Sequence, residues 1–266
     1  MEENHNNQFI LIVASLASFI TAFMGSSINI ALPAIGTEFN IDAVLLSWIS
    51  TSYLLAAAIS LVPTGRLADL YGRKKIFAYG IVIFTIATLI SAISHSIPLL
   101  LASRVLTGIG VGMVFGTSVA IVTSAFPVSE RGKAIGFTVA AVYLGLSMGP
   151  FIGGILTQNF GWRSIFVTSV LMGVVTTFVT SFIKGEWAEA RNERMDYVGT
   201  VIYALSLSVA IYGFSLLPSI QGAGFILAGI ILILIFVYWE VKFESPMLNV
   251  RIFRNIGVSL FQICRL

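Results

Sequence analysis

Eight apolar segments, each long enough to cross a lipid bilayer and separated from the next by a short polar break, leave this chain few ways to fold. A helix needs roughly 20 apolar residues to traverse a hydrocarbon core about 30 Å thick. Such segments run approximately from Phe9 to Leu32, Val44 to Pro63, Ile76 to Ile93, Ile97 to Thr123, Ala134 to Leu156, Ile165 to Ile183, Val198 to Leu217 and Phe225 to Val241. With 57% hydrophobic and 10% charged residues among 266, the chain is more apolar than a soluble domain, which is roughly 45 to 50% apolar. Backbone polar groups inside lipid must be satisfied within the segment, so the expected fold is an all-α polytopic membrane protein. The first segment has no basic region ahead of it and exceeds the core of a cleaved signal, so it reads as a retained span. A ninth segment begins near Ile256, and the sequence given stops at Leu266.

The charges orient the spans. With the N-terminus in the cytoplasm, the breaks after spans two, four, six and eight hold Arg66, Arg73, Lys74, Lys75, Arg131, Lys133, Lys184, Arg191, Arg194, Lys242, Arg251 and Arg254, twelve of the fifteen basic residues. The opposite breaks hold Arg163; Arg104 lies within the fourth span and Arg265 at the end. That bias follows the positive-inside rule.

Several classes of function are excluded on the same residues. Nucleic-acid binding would gather basic side chains on one soluble face with aromatic platforms, whereas here they are spread over four loops. Cys264 is the one cysteine, and His5 and His95 lie near chain or helix ends, so neither a disulfide framework nor a metal site is expected. No nucleophile–base grouping or phosphate loop is visible, and an enzyme is not expected.

Two spans carry glycines at four-residue spacing: Gly108, Gly112 and Gly116 in the fourth, and Gly145, Gly149 and Gly153 in the fifth. That spacing lines one helix face and lets a neighbouring backbone come close. Pro150, followed by Gly153 and Gly154, predicts a bend in the fifth span. Arg104 lies about six residues inside the fourth span, where a cation costs about 2.5 to 3.5 kcal/mol. It is expected either to face a wet cavity or a partner, as a substrate- or proton-pathway residue, or to snorkel to the near headgroups. Asn29, deep in the first span, is expected to face the bundle interior as helix glue or as a cavity group. None of the twelve acids falls near the middle of a span.

One break is unusually rich in charge. Residues 65–75, GRLADLYGRKK, place Arg66, Asp69, Arg73, Lys74 and Lys75 with Gly65 and Gly72 between spans two and three. This stretch resembles the signature loop of the major facilitator superfamily. In that family the loop's aspartate and basic residues hold the cytoplasmic side closed. The resemblance implies the same for Asp69 and Arg73, with Gly65, Gly72, Lys74 and Lys75 shaping the loop and Glu130 or Arg131 in the next cytoplasmic loop as partners. RVLTGIG, from Arg104 to Gly110, is similar to the family's fourth-helix motif, with Thr107 where glutamine is usual. Gly145, Gly149, Pro150, Gly153 and Gly154 resemble the fifth-helix motif of antiporters. Asn29-Ile-Ala-Leu-Pro33 and Trp162-Arg163-Ser-Ile-Phe166 resemble motifs of the fourteen-span drug:proton antiporters. That first-helix motif commonly carries an acid where this chain has Met24.

The resemblance therefore implies an N-terminal six-helix bundle of three-plus-three inverted repeats over residues 1–183, and a cytoplasmic loop over 184–197. Two extra transmembrane helices over 198–241 follow, then 242–266 as a cytoplasmic amphipathic segment (from Pro246 to Asn255) and the start of a truncated ninth span. It implies multidrug efflux across the plasma membrane driven by an ion gradient, with no cofactor. The expected partners are the bilayer, a small-molecule substrate, and a missing C-terminal bundle or another chain. A carrier of another solute, such as a sugar or metabolite, and a non-transporting truncated or partner-dependent protein are the alternatives. Phe23, Met24, Met113, Phe115, Tyr143 and Met148 offer an adaptable substrate surface or ordinary packing.

Overall fold

The computed structural model describes residues 2–188, 190, 193–243 and 245–248. Among them lie eight helices and no strand: α1 (Glu2–Phe39), α2 (Ala43–Tyr71), α3 (Arg73–Ala92), α4 (Ile97–Ala125), α5 (Val128–Phe160), α6 (Arg163–Thr180), α7 (Tyr197–Ser215) and α8 (Ile220–Lys242). All eight are long and apolar enough to span a membrane. The ninth span, Cys264 and most of the amphipathic stretch after Pro246 lie outside the described residues.

The helices overrun the apolar segments at informative places. α1 continues through Pro33 and α2 through Pro63. Hydroxyls near these prolines bond back to their own helix, Thr37 to the Pro33 carbonyl at 2.9 Å and Thr64 to the Ser60 carbonyl at 2.6 Å. Consequently the 65–75 stretch, read as the cytoplasmic loop between spans two and three, is almost wholly helical. Gly65 to Tyr71 complete α2, Arg73 to Lys75 open α3, and Gly72 alone joins them at φ +123°. Glycine is the residue that tolerates this dihedral. α5 likewise runs unbroken through Pro150.

The chain divides into two compact units, Met1–Arg191 and Asn192–Leu266. In the first, α1 packs on α5, α2 on α4, and α3 on both α4 and α6. Taking α1–α3 and α4–α6 as inverted repeats, exchange of the repeats turns the α1–α5 seam into the α4–α2 seam, as such an architecture requires. α1 and α4 are central: 56% and 61% of their most apolar windows are buried inside protein, against 17% for α5. One core cluster gathers Met24, Ile28, Ile35, Ile49, Tyr53, Phe84, Leu100 and Phe166, and another gathers Ile10, Ala17, Phe77, Ile81, Val114 and Val122.

Both seams are built by glycine, on α5 in one and on α4 in the other. A Cβ at Gly145 would lie 2.5 Å from the Phe19 carbonyl oxygen, and one at Gly153 would lie 2.9 Å from Ser27 Cβ. At Gly108 it would meet the Tyr53 carbonyl oxygen at 2.3 Å, and at Gly116 that of Leu61 at 2.7 Å. Hydroxyls cross each seam: Ser27 donates to the Gly149 carbonyl at 2.9 Å and Thr64 to that of Gly112 at 3.3 Å. Close backbone approach and interhelical hydrogen bonds are the forces available where lipid removes the hydrophobic drive for helix association. Gly154 stands apart, its nearest neighbour being Ile30 Cγ2 at 3.8 Å.

The second unit contains the α7–α8 hairpin, drawn together where Gly229 meets Ala210 and Gly213 meets Gly222. Buried Asp196 caps α7 by accepting from the Gly199 amide at 2.8 Å, and it also accepts from the Trp239 indole of α8 at 2.9 Å.

Candidate functional site

At the junction of α2 and α3, the Arg73 guanidinium reaches back one turn to the Asp69 carboxylate, with Nη2 at 2.8 Å and Nε at 2.9 Å. Its Nη1 donates to Ser124 Oγ near the end of α4. The pair thus spans three helices through one buried arginine. Below it α2 and α4 touch along their backbones, since a Cβ at Gly65 would sit 3.5 Å from the Gly116 carbonyl oxygen. Lys74 donates through Nζ to the Ile183 carbonyl, and Lys75 is exposed.

The expected partners from the next loop do not join this pair. Arg131 donates through Nε to the Phe126 carbonyl at 3.1 Å, closing the chain's own entry into α5, and Glu130 is exposed. Asp69 is already engaged by Arg73, four residues on and across the Gly72 junction. The residues that sequence reasoning missed are Glu186 and Trp187, from the segment after α6. Glu186 accepts from the Lys74 and Lys75 amides at 2.9 and 3.2 Å, and the Trp187 carbonyl accepts from the Arg73 amide at 2.8 Å. The scarcity of acids that drew attention to Asp69 was the available signal for Glu186.

Arg104 has no exposed surface. In this conformation it turns into the bundle and does not snorkel. Its Nε donates to the Ile49 carbonyl at 3.3 Å, and its guanidinium carbon lies 4.3 Å from the centroid of the Tyr53 ring. Nη1 and Nη2 have no hydrogen-bond partner among the described residues. Tyr53 in turn donates to the Thr21 carbonyl at 3.1 Å, so α1, α2 and α4 meet at one cation–aromatic contact. A desolvated cation over an aromatic face gains about 2 kcal/mol or more, short of what a carboxylate partner supplies. The two Nη nitrogens thus keep unused donor capacity in a fully buried position.

Asn29 is exposed on this bundle, and its Oδ1 accepts from Ser50 Oγ at 3.0 Å; it ties α1 to α2, as helix glue does, from the rim of the bundle and not from its interior. Phe23, Met24 and Met113 are core residues, whereas Phe115, Tyr143 and Met148 are exposed. The helix-five motif is a packing surface against α1 at Gly145, Gly149 and Gly153; Pro150 is exposed and Gly154 is loosely packed.

The opposite end of the bundle holds a second charged tie. Glu38 of α1 accepts from Arg163 Nη1 and Nη2 at 2.9 and 2.7 Å and from the Trp162 indole at 2.7 Å, and Arg163 also donates to the Ser94 carbonyl at 2.9 Å. A bidentate arginine–carboxylate pair carries geometric specificity as well as energy. Here it joins the ends of α1, α3 and α6.

The chain is similar to known transporters over most of its length. The riboflavin transporter RibZ of Clostridioides difficile (strain 630) is 31% identical over 96% of this chain and 56% of its own length. The multidrug resistance protein Stp of Mycobacterium tuberculosis (strain CDC 1551 / Oshkosh) is 30% identical over 97% of this chain and 49% of its own length. The cephamycin export protein CmcT of Amycolatopsis lactamdurans is 29% identical over 94% and 53%. The chain thus spans about half the length of these relatives. The crystal structure of a bacterial homolog to the human lysosomal transporter Spinster, inward-facing and unoccupied, superposes with a TM-score of 0.60 at 20% identity, over 79% of this chain and 53% of that one. The family model of the Major Facilitator Superfamily matches residues 14–239, and the chain is a multi-pass membrane protein that belongs to that superfamily.

Proposed function

We propose that this chain is the N-terminal half of a proton-coupled secondary carrier of the fourteen-span branch, exporting amphipathic, cationic small molecules across the plasma membrane, with its N-terminus in the cytoplasm. The observation that carries the reading is the Asp69–Arg73 pair seated across a one-residue junction and bonded to α4. Alternating access needs a contact that forms in one state and opens in the other, and a short-range ion pair between helix ends is suited to that role. The multidrug and export relatives support efflux, and the basic bias of the breaks supports the orientation.

In this reading α1 to α6 are one bundle, α7 and α8 are the two extra helices, and the substrate meets the face that a second bundle or another chain completes. Arg104 lies on the substrate or proton pathway, and exposed Asn29 stands at the edge of that face. Since no acid lies mid-span in this half, a titrating carboxylate is expected in the other. The riboflavin transporter among the relatives favours a second reading, a carrier of a metabolite. The test is energised efflux from cells expressing the chain together with whatever follows it in its reading frame. Export of a lipophilic fluorescent cation supports the first reading, and movement of riboflavin alone supports the second.

A further inference from the structure

A helix leaves its leading amide N–H groups without intrahelical acceptors, and the residue ahead of it usually caps them with a side chain. α3 follows directly on Gly72, which has none. Its amides are capped instead from a segment over a hundred residues away: Arg73 by the Trp187 carbonyl at 2.8 Å, Lys74 by Glu186 Oε1 at 2.9 Å and Lys75 by Glu186 Oε2 at 3.2 Å. The Trp187 amide also donates to Glu186 Oε1 at 3.2 Å. The carboxylate lies at the positive end of the helix dipole, where negative charge is favoured.

The rest of the segment is tied down on both sides. The Ala190 amide donates to the Asp69 carbonyl at 3.0 Å, Lys74 Nζ donates to the Ile183 carbonyl, and Lys184 exchanges two backbone bonds with the Asn6 side chain of α1 at 2.8 and 3.0 Å. The chain leaving α6 is therefore a strap from α1 across the α2–α3 junction. Junction and strap are fitted to one another: a Cβ at Gly72 would stand 2.5 Å from Glu186 Cδ.

We propose that Glu186 is a positioning residue for the gate. By capping the first turn of α3 it holds Arg73 against Asp69, so the latch closes only while the strap is seated. The proposal rests on the gating reading of the Asp69–Arg73 pair. Two readouts test it in the full-length carrier: hydrogen exchange of peptides covering residues 66–76, and efflux of ethidium as the transport probe. Glu186→Ala should speed exchange of the Lys74 and Lys75 amides at least tenfold while peptides of the α1–α5 seam stay unchanged. Glu186→Gln, which keeps one acceptor, should fall between. Efflux by the Asp69→Asn, Glu186→Ala double variant should match Asp69→Asn alone, because both act on one latch. Unchanged exchange in Glu186→Ala overturns the capping role, and additive losses of efflux overturn the link to the latch. If Asp69→Asn exports ethidium normally, the gating reading falls and the proposal with it, whatever the exchange data show about the cap.

Discussion

Replacing Gly145 with alanine is the sharpest perturbation of the bundle's construction. The added methyl would lie 2.5 Å from the Phe19 carbonyl oxygen, 3.0 Å from the Phe23 nitrogen and 3.1 Å from Ala22 Cβ, with no flexible side chain among the three. Ordinary contact begins at 3.4 Å, so α1 and α5 must separate locally by about 0.9 Å to admit it. A radial gap of about 0.5–1 Å forfeits a quarter to a half of each dispersion contact it opens. Overpacking of a well-fitted interface typically costs about 1–3 kcal/mol, and the rigid neighbours put Gly145→Ala toward the upper end, about 2–3 kcal/mol. Near the midpoint this lowers Tm by roughly 4–12 °C for a chain of this size. Gly154→Ala is the matched control, since its methyl would meet only Ile30 Cγ2 at 3.8 Å. Removing a glycine from a helix interior gains about 0.5–1 kcal/mol, so this variant should melt at or above the parent. The assay is thermal unfolding of the purified chain in detergent, with the folded fraction read by size exclusion. Equal melting of the two variants, or a lower Tm for Gly154→Ala, would refute the seam.

Further variants probe other ties. Ser27→Ala removes the buried bond to the Gly149 carbonyl and should cost about 0.6–1.7 kcal/mol, seen as a smaller drop in the same melt; no drop removes that hydroxyl from the account. Arg163→Lys keeps the charge but loses the fork on Glu38 and should cost about 1 kcal/mol, the pair being part-exposed and so partly screened; a melt indistinguishable from the parent argues against the tie. Arg104→Leu removes a buried cation with two unbonded nitrogens, so it should leave Tm unchanged or raised while lowering efflux at least tenfold. A large loss of stability would make Arg104 a structural group.

The spans were legible because a 20-residue apolar run has one stable solution in lipid. The ends of the helices were not. Pro33 and Pro63 look like breakers, yet α1 and α2 run through them, as membrane helices tolerate. The glycine tracks announced close packing, but spacing along α4 and α5 says nothing about which helix lies opposite; that is a property of the tertiary arrangement. Asn29 was expected to tie helices or to face a cavity, and it does tie α1 to α2, but the sequence did not place it on the exposed side for a related reason. When one side of a helix meets protein and another meets lipid or a cavity, apolarity does not distinguish the faces, and a polar residue can stand on either. Asp69 and Arg73 were found from charge scarcity and from the resemblance of residues 65–75 to the family's signature loop. Their support by Glu186 was not, because a cap contributed across 112 residues leaves no local pattern.

Efflux of a lipophilic fluorescent cation from energised cells, comparing the full-length carrier with its Asp69→Asn variant at equal membrane expression, tests the central claim most directly. The account predicts export that stops when the proton gradient is collapsed and falls at least tenfold in the variant. Export at the parental rate by the variant, or export indifferent to the gradient, would contradict it.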